Sequence, residues 1–335
     1  MVYDLNQFAA QVFAPIVIIL GAIGNLLGMI VISQKKLKEM GPQKIFICMF
    51  ALDCIYFPLI FHPYMAYMFA TNVTNMSSVA CKLYWYARYS MAFISPMMNV
   101  YVSVERFISI TFPSKKLFLQ KKSSQHIFIA MISVANVLLA VDVALYFDIV
   151  YVNISSTNHT TIQIYYCDFV DIYWQDVSGY IDLISRVIVP AGLMIIFSFL
   201  IAGSIFRSRD RIARISNTAA NHANNATLRK DIRFAVVCVG LNLFYILFSL
   251  PVSIVVLMPN YADNQFYIIT SFLFFLAYSS NFYLMISFNR LFRRVFFQKF
   301  FHFLHKEGHT NTGVMAQRGQ ATKVPRGHTD APELN

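Results

Sequence analysis

The sequence predicts an all-α membrane protein: a seven-transmembrane helix bundle followed by a short amphipathic eighth helix. The first observation is composition, because 57% of the 335 residues are hydrophobic and 13% are charged, whereas soluble domains carry about 25% charged residues. The second is a series of seven apolar stretches, each long enough for a bilayer core that needs roughly 20 helical residues. The third is the one-sided distribution of Lys and Arg between those stretches.

The predicted spans, numbered 1 to 7 along the chain, cover residues 12–33, 45–70, 83–112, 126–148, 179–206, 233–258 and 266–289. Residues 1–11 hold no basic leader or cleavage site, so we interpret span 1 as a retained span with a short extracellular terminus before it. Residues 290–305 have the Phe- and Arg-rich pattern of an amphipathic helix on a membrane surface. Residues 306–335 are polar and predict a disordered cytoplasmic tail.

Basic residues predict the orientation of the bundle. Of 27 Lys and Arg, only Lys82, Arg88 and Arg186 lie on the side that carries the amino terminus, and the other 24 lie on the opposite side. By the positive-inside rule, the loops after odd-numbered spans are cytoplasmic and the amino terminus is outside. The net charge of +11 therefore flanks membrane spans, and we predict a multi-pass plasma-membrane protein that does not bind nucleic acid.

The loops after spans 2 and 4 carry the features of an extracellular, oxidising face. Asparagines in Asn-x-Ser/Thr sequons predict glycosylation there, at Asn72, Asn75, Asn153 and Asn158. Two of the five cysteines share that face, Cys81 at the mouth of span 3 and Cys167 in the loop after span 4. They are the plausible disulfide partners.

Several polar residues fall at membrane depth, where one charge costs at least about 2.5–3.5 kcal/mol and needs a partner or a cavity. Asp53 lies in the middle of span 2, and Asn25, Ser95 and Asn281 lie at similar depths in spans 1, 3 and 7. Two interpretations stay open. The four side chains hold a small cation such as sodium, or they form interhelical hydrogen bonds without an ion.

A set of short motifs in a fixed order resembles the rhodopsin-like (class A) G-protein-coupled receptors. The matching positions are "GN" in span 1, "FALD" in span 2, Cys81, "ERF" at the foot of span 3, Pro190, Pro251 and Asn281. The spacing from Cys81 to Arg106 also fits the family. Departures stand at four further positions. Phe282 and Met285 replace the proline and tyrosine of the family's span 7 motif, Ser249 replaces its span 6 tryptophan, and Ser198 replaces its span 5 tyrosine.

The resemblance implies a receptor that binds an extracellular ligand and activates heterotrimeric G proteins, with arrestin as a further partner of a phosphorylated tail. It implies a switch at "ERF", where Glu105 and Arg106 form a charge pair at the cytoplasmic water boundary. Asp231, at the foot of span 6, is a second partner for Arg106. The switch we predict is therefore a latch between spans 3 and 6, made of Glu105, Arg106 and Asp231.

Family positions exclude two ligand classes and suggest pocket residues. Phe275 stands where opsins carry the retinal lysine, and Arg88 replaces the aspartate that binds biogenic amines. Arg88 and Arg186 are candidate ligand contacts because paired guanidinium groups bind acidic groups. The alternative is internal neutralisation, of Arg186 by Asp182 and of Arg88 by Asp142. The full set of predicted ligand-binding residues is Arg88, Tyr89, Asp182, Arg186 and Ser249.

The leading ligand is a short peptide. The outer loops contain several aspartates among tyrosines and a tryptophan, and such an acidic surface attracts cationic peptides. The "NFYL" of span 7 also resembles the neuropeptide (FMRFamide-type) branch of the family. A small organic acid or a lipid mediator is the second candidate.

Two other classes of protein fit less well. A transporter usually shows paired repeats with broken helices, and we see no internal repeat. A membrane-embedded enzyme needs a cluster of catalytic side chains, but the eight histidines are spread along the chain, and four of them lie beyond span 7. We therefore predict that the protein is not an enzyme and binds no metal or cofactor other than a possible sodium ion near Asp53.

Overall fold

The computed structural model describes residues 12–69, 73–112, 116–155, 161–214, 220–256 and 265–301. The predicted terminus 1–11 and tail 306–335 lie outside these ranges. The helices are Ala14–Ile32, Gln43–Phe69, Ser78–Ala92, Ile94–Thr111, Lys116–Gln120, Lys122–Leu139, Val141–Tyr146, Ile172–Leu183, Val189–Arg214, Ala220–Val256, Gln265–Ser279, Asn281–Phe288 and Arg290–Phe300. The 3₁₀ turns Lys35–Met40 and Val73–Asn75 and the π-helical turn Ile184–Ile188 complete the helical part. The predicted all-α bundle is confirmed.

Among the described residues, five helical segments are long and apolar enough to cross a membrane. They correspond to spans 1, 2, 4, 5 and 6. The two helices of span 7 are bent by 54° relative to each other, and they make a sixth membrane span if they are counted as one. Span 3 is not among the six, and it carries three charged side chains, Arg88, Glu105 and Arg106.

Span 3 is two helices that meet at Phe93, not the single helix expected from hydropathy. Pro96 is the physical reason, because proline has no N–H to donate to the carbonyl four residues earlier and its ring crowds that carbonyl. Span 7 is interrupted at Ser280, next to Asn281. Both interruptions lie beside residues of the polar core described below.

A β-hairpin follows span 4, and the sequence did not predict it. Strand β1, Phe147–Ser155, pairs antiparallel with strand β2, Thr161–Phe169, in a register that sets Ile149 opposite Cys167. The helix of span 4 ends at Tyr146, and strand β1 begins at the next residue. We call this end of the bundle the hairpin end, and the opposite end, where Arg106 lies, the Arg106 end.

The apolar core near the Arg106 end includes the residues that depart from the family's span 7 motif. Phe282 and Met285 are 3% and 0% exposed and pack in one cluster with Phe292 of the last helix. The ring centroids of Phe282 and Phe292 are 5.9 Å apart. Asn289 caps that last helix by accepting hydrogen bonds from two backbone N–H groups. Apolar packing against the last helix, by Phe282 and Met285, therefore occupies the place of the family's proline and tyrosine.

Candidate functional site

The predicted switch residues meet at the Arg106 end. Arg106 is 1% exposed and Glu105 is 0% exposed, and their side chains form an ion pair. Arg106 Nη1 also lies 3.6 Å from an Asp231 carboxylate oxygen on span 6. Its guanidinium carbon lies 4.5 Å from the centroid of the Phe234 ring. The structure thus brings Glu105, Arg106 and Asp231 together, and protein covers the pair that we expected at a water boundary.

Three residues that the sequence did not single out surround this pair. Gln120 Nε2 and Ser109 Oγ donate to the same Glu105 oxygen, over 2.7 and 2.8 Å. Gly41 lies against Arg106 with a φ of +95°, and a Cβ at this position would overlap Arg106 Nη2. The backbone before span 2 is therefore part of the surface that holds Arg106 in place.

The structure brings three of the four predicted polar-core residues together at Asp53. Asp53 is 1% exposed; Asn281 Nδ2 donates to its carboxylate over 3.3 Å, and Ser95 also hydrogen-bonds to it. Asn25 is 0% exposed and its amide nitrogen lies 3.5 Å from the Tyr278 carbonyl oxygen. One oxygen of Asp53 and the side-chain oxygen of Asn25 are buried without a hydrogen-bond partner among the described residues.

A second polar network, which the sequence did not reveal, joins spans 3, 5 and 6. Asn242 is 1% exposed, and its side-chain nitrogen donates to Ser103 over 2.8 Å and to Ser198 over 3.0 Å. Ser198 occupies the span 5 position where the family usually has a tyrosine. The small hydroxyl leaves room for the Asn242 amide, which links the same three spans.

The hairpin is fastened to span 3 and to the turn before it. The predicted disulfide between Cys81 and Cys167 is confirmed, with the two Cα atoms 5.7 Å apart. Lys82 Nζ lies 3.4 Å from an Asp148 carboxylate oxygen. Hydrogen bonds from the Ser78 hydroxyl and the Ile149 N–H, together with Lys82, hold the pKa of Asp148 below its usual value.

The predicted glycosylation residues lie in different settings. The Asn75 side chain donates to the Tyr165 carbonyl over 3.0 Å and accepts from the Cys167 N–H over 3.1 Å. Its amide therefore ties the turn after span 2 to strand β2. Asn153 lies in strand β1, and Asn72 and Asn158 lie outside the described residues. Glycosylation at all four stays a prediction.

A cavity at the hairpin end lies between spans 3, 4 and 5 and contains three of the predicted ligand residues. Tyr89, Asp182 and Arg186 line it together with Asp142. Arg186 forms an ion pair with Asp182, and its guanidinium carbon lies 4.8 Å from the centroid of the Tyr89 ring. Arg186 is thus paired within the protein, as the neutralisation alternative predicted.

Arg88 and Ser249 lie away from this cavity's lining. The Arg88 guanidinium lies 4.6 Å from the centroid of the Trp85 ring and hydrogen-bonds to Tyr84. Neighbouring residues on a helix point about 100° apart, so Tyr89 enters the cavity while Arg88 does not. Ser249 is 0% exposed and donates over 3.4 Å to the Ile246 carbonyl in its own helix.

Two buried tyrosines satisfy carbonyl groups that prolines leave without a helical partner. Pro190 cannot donate to the Arg186 carbonyl, and the Tyr245 hydroxyl of span 6 donates to it over 2.8 Å. In span 3, Pro96 leaves the Ala92 carbonyl free, and the Tyr278 hydroxyl of span 7 donates to it over 2.7 Å. Irregular turns at both positions are therefore tied to spans 6 and 7.

Removing the Tyr245 hydroxyl is expected to destabilise the receptor by about 1–3 kcal/mol, because Tyr245→Phe leaves the buried Arg186 carbonyl without a donor. Thermal unfolding of the purified protein measures the effect. Tyr283→Phe is the matched control: its hydroxyl donates to the Leu20 carbonyl, which lies inside a regular helix that has its own donor there. Equal losses in the two variants would contradict the role of the proline-freed carbonyl.

The bundle has a polar cavity at the hairpin end and a buried ion pair, Glu105 with Arg106, at the Arg106 end. The model of the 7 transmembrane receptor (rhodopsin family) matches residues 24–283, and the chain belongs to this family. It is therefore a multi-pass membrane receptor and not an enzyme, and the predicted fold class is confirmed. No curated protein sequence shows a significant similarity to the chain.

Proposed function

We propose that the receptor binds an extracellular ligand at the hairpin end and activates heterotrimeric G proteins at the Arg106 end. The observation that carries this proposal is the arrangement of Arg106, which is buried between a partner on its own helix, Glu105, and a partner on span 6, Asp231. The positive-inside distribution supports the orientation, with the amino terminus outside in the plasma membrane. A ligand shifts a protein with two packings toward the packing that it binds more tightly, and Arg106 has a different partner available on each of two helices.

The latch contact links spans 3 and 6 directly. While Arg106 lies near Asp231, the part of span 6 at the Arg106 end stays packed against span 3. Ligand binding that favours another packing separates the two side chains, and span 6 moves away from the bundle axis. The basic loops then border a cleft for the G-protein α-subunit. Phosphorylated tail threonines that recruit arrestin belong to the same proposal, and they lie outside the described residues.

For the ligand, we propose a short peptide of the neuropeptide class. Arg186 is already paired with Asp182, which reduces its availability to an organic acid or a lipid carboxylate. The hairpin end presents exposed aromatic side chains, among them Tyr165, Tyr166 and Tyr173. Aromatic surfaces of this kind suit peptide side chains.

We further propose that the polar core binds a sodium ion. The unpartnered oxygens of Asp53 and Asn25 are buried, and hard cations prefer such oxygen ligands. Ser95 and Asn281 complete the set of residues that would hold the ion, which would supply positive charge beside Asp53. The alternative, interhelical hydrogen bonding without an ion, leaves these two oxygens unsatisfied.

Replacing Asp231 with alanine is expected to raise ligand-free activity about 2- to 5-fold, because a partly exposed ion pair contributes up to about 1 kcal/mol. The measurement is guanine-nucleotide exchange on G-protein heterotrimers added to membranes that contain the receptor. Asp231→Glu keeps the charge and should stay near the wild-type rate.

The same assay tests the proposed function as a whole. Exchange no faster than in receptor-free membranes, for both the wild type and Asp231→Ala, would contradict G-protein coupling. Exchange that is present but unchanged by Asp231→Ala would retain the coupling and contradict the latch. Uptake of a solute by vesicles that contain the protein would instead support the transporter class.

A further inference from the structure

One buried side chain ties span 6 to two other spans at once. The Asn242 amide uses both of its hydrogens, donating one to the Ser103 hydroxyl of span 3 over 2.8 Å and one to the Ser198 hydroxyl of span 5 over 3.0 Å. The three residues are 1%, 0% and 8% exposed, in the same order. We call these three side chains the Asn242 network. A separation of span 6 from spans 3 and 5 breaks both hydrogen bonds.

Apolar side chains of the same three spans enclose the Asn242 network. On the side of the hairpin end these are Val100, Met194 and Ile246, and on the side of the Arg106 end Ile110, Ile201 and Ile232. The Ser103 hydroxyl also donates to the Asn99 carbonyl of its own helix over 2.9 Å, so it keeps a partner when the spans separate. The Asn242 amide would lose both acceptors, and a buried donor without an acceptor is costly. The network therefore favours the packing in which the three spans stay together.

Asn242 lies on the same part of span 6 as the latch residue Asp231. Span 6 is one helix, Ala220–Val256, with Pro251 inside it, and helices bend at proline. At a rise of about 1.5 Å per residue, Asn242 lies about 14 Å and Asp231 about 30 Å from Pro251, in the same direction. A swing of span 6 about Pro251 therefore moves Asn242 about half as far as Asp231. Hydrogen bonds tolerate only a few tenths of an ångström of stretching, so the swing that opens the latch also breaks the Asn242 network.

We propose that the Asn242 network is a second latch on span 6, which holds the receptor in its resting packing together with the contact between Arg106 and Asp231. The proposal rests on the proposed function, because the movement that the network opposes is the one that opens the cleft for the G protein. The two latches lie about 16 Å apart along span 6 and share no residue. Their contributions therefore add as free energies, and their effects on ligand-free nucleotide exchange multiply.

Ligand-free nucleotide exchange, divided by the number of receptors at the cell surface, is the first test. One interhelical hydrogen bond in a membrane protein contributes a factor of about 3 on average, so Ser198→Ala should raise exchange about 3-fold. Asn242→Ala removes both bonds and should raise it further. The matched control is Ser249→Ala, a buried serine of span 6 whose hydroxyl donates within its own helix, and it should keep the wild-type rate. A purely structural role would lower the number of receptors without raising exchange per receptor.

The second test needs no G protein. Cys238 of span 6 is 1% exposed, and it is the one free thiol of the five cysteines once Cys48 and Cys54 are replaced by alanine. A maleimide reagent modifies a buried thiol in proportion to the fraction of receptors in an open packing. In this background Ser198→Ala should raise the rate of Cys238 modification about 3-fold. Ser249→Ala should leave the rate unchanged.

Two outcomes overturn the second latch. One is a Ser198→Ala receptor with the wild-type rates of exchange and of Cys238 modification. The other is an equal acceleration in Ser249→Ala. Ser198→Ala removes a single hydroxyl, so it decides the matter even if Asn242→Ala does not reach the surface. The failure of the proposed function is read separately: wild-type exchange no faster than in receptor-free membranes contradicts G-protein coupling, and the modification of Cys238 then tests the latch alone.

Discussion

Replacing Gly41 with alanine is expected to raise ligand-free nucleotide exchange by about 5-fold or more. The φ of +95° at Gly41 costs an L-residue roughly 1–2 kcal/mol, and a factor of 5–30 corresponds to that range of free energy. The added Cβ would also overlap Arg106 Nη2. Because Arg106 is 1% exposed and paired with Glu105, it can make room only by shifting relative to Asp231.

The control for Gly41→Ala is Gly203→Ala, since a Cβ at Gly203 meets no described atom within 4 Å. This variant should exchange nucleotide at the wild-type rate, with both rates divided by the receptor number at the cell surface. The double variant Gly41→Ala/Asp231→Ala should exchange nucleotide little faster than Gly41→Ala alone, because both substitutions disrupt the same contact between Arg106 and Asp231. A normally expressed Gly41→Ala receptor with the wild-type basal rate would contradict the role of Gly41.

Much of the fold could be predicted because a bilayer imposes its own pattern on a sequence. Backbone groups in lipid must be satisfied within the segment, so each apolar stretch of sufficient length is helical. The disulfide was predictable from the shared face of Cys81 and Cys167. The hairpin was not, because its strands pair residues that lie in a loop whose conformation depends on the disulfide and on Asn75.

The site was predictable where a sequence motif names its members and unpredictable where packing decides. Asp231 was found because the family switch needs a partner for Arg106. The approach of Gly41 to Arg106 depends on how the turn after span 1 packs under span 3, and no local pattern encodes it. Likewise, the orientation of span 3 about its own axis decides that Tyr89, and not Arg88, lines the cavity.

The arrangement of prolines and tyrosines connects the cavity to spans 6, 7 and 3. Arg186 lines the cavity, and its carbonyl accepts a hydrogen bond from the Tyr245 hydroxyl of span 6. The ring centroids of Tyr245 and Tyr278 are 6.5 Å apart. The Tyr278 hydroxyl in turn donates a hydrogen bond to the Ala92 carbonyl, where the helix of span 3 is interrupted. Ser249, in the family's tryptophan position, is too small to link these spans. The two tyrosines provide a packed connection between spans 3, 5, 6 and 7 in its place.

Removing the disulfide is expected to produce the largest loss of stability. The bond between Cys81 and Cys167 closes a loop with a sequence separation of 86 residues, for which chain entropy gives a stabilisation of about 4–5 kcal/mol. The double variant Cys81→Ser/Cys167→Ser should therefore unfold about 8–20 °C below the wild type and reach the cell surface in smaller numbers. Thermal unfolding of the purified receptor and surface labelling measure the two effects.

The free cysteine Cys48, half-buried in span 2, provides the matched control. Cys48→Ala removes a thiol that closes no loop and should shift the unfolding midpoint by about 3 °C or less.

The loss of stability in the double variant should be smaller than the entropic value if Asn75 and the Lys82–Asp148 pair keep the hairpin in place. Adding Asn75→Ala to the double variant removes one of these attachments and should lower the midpoint further. A double-serine receptor that unfolds within about 2 °C of the wild type would show that these contacts hold the hairpin without the disulfide.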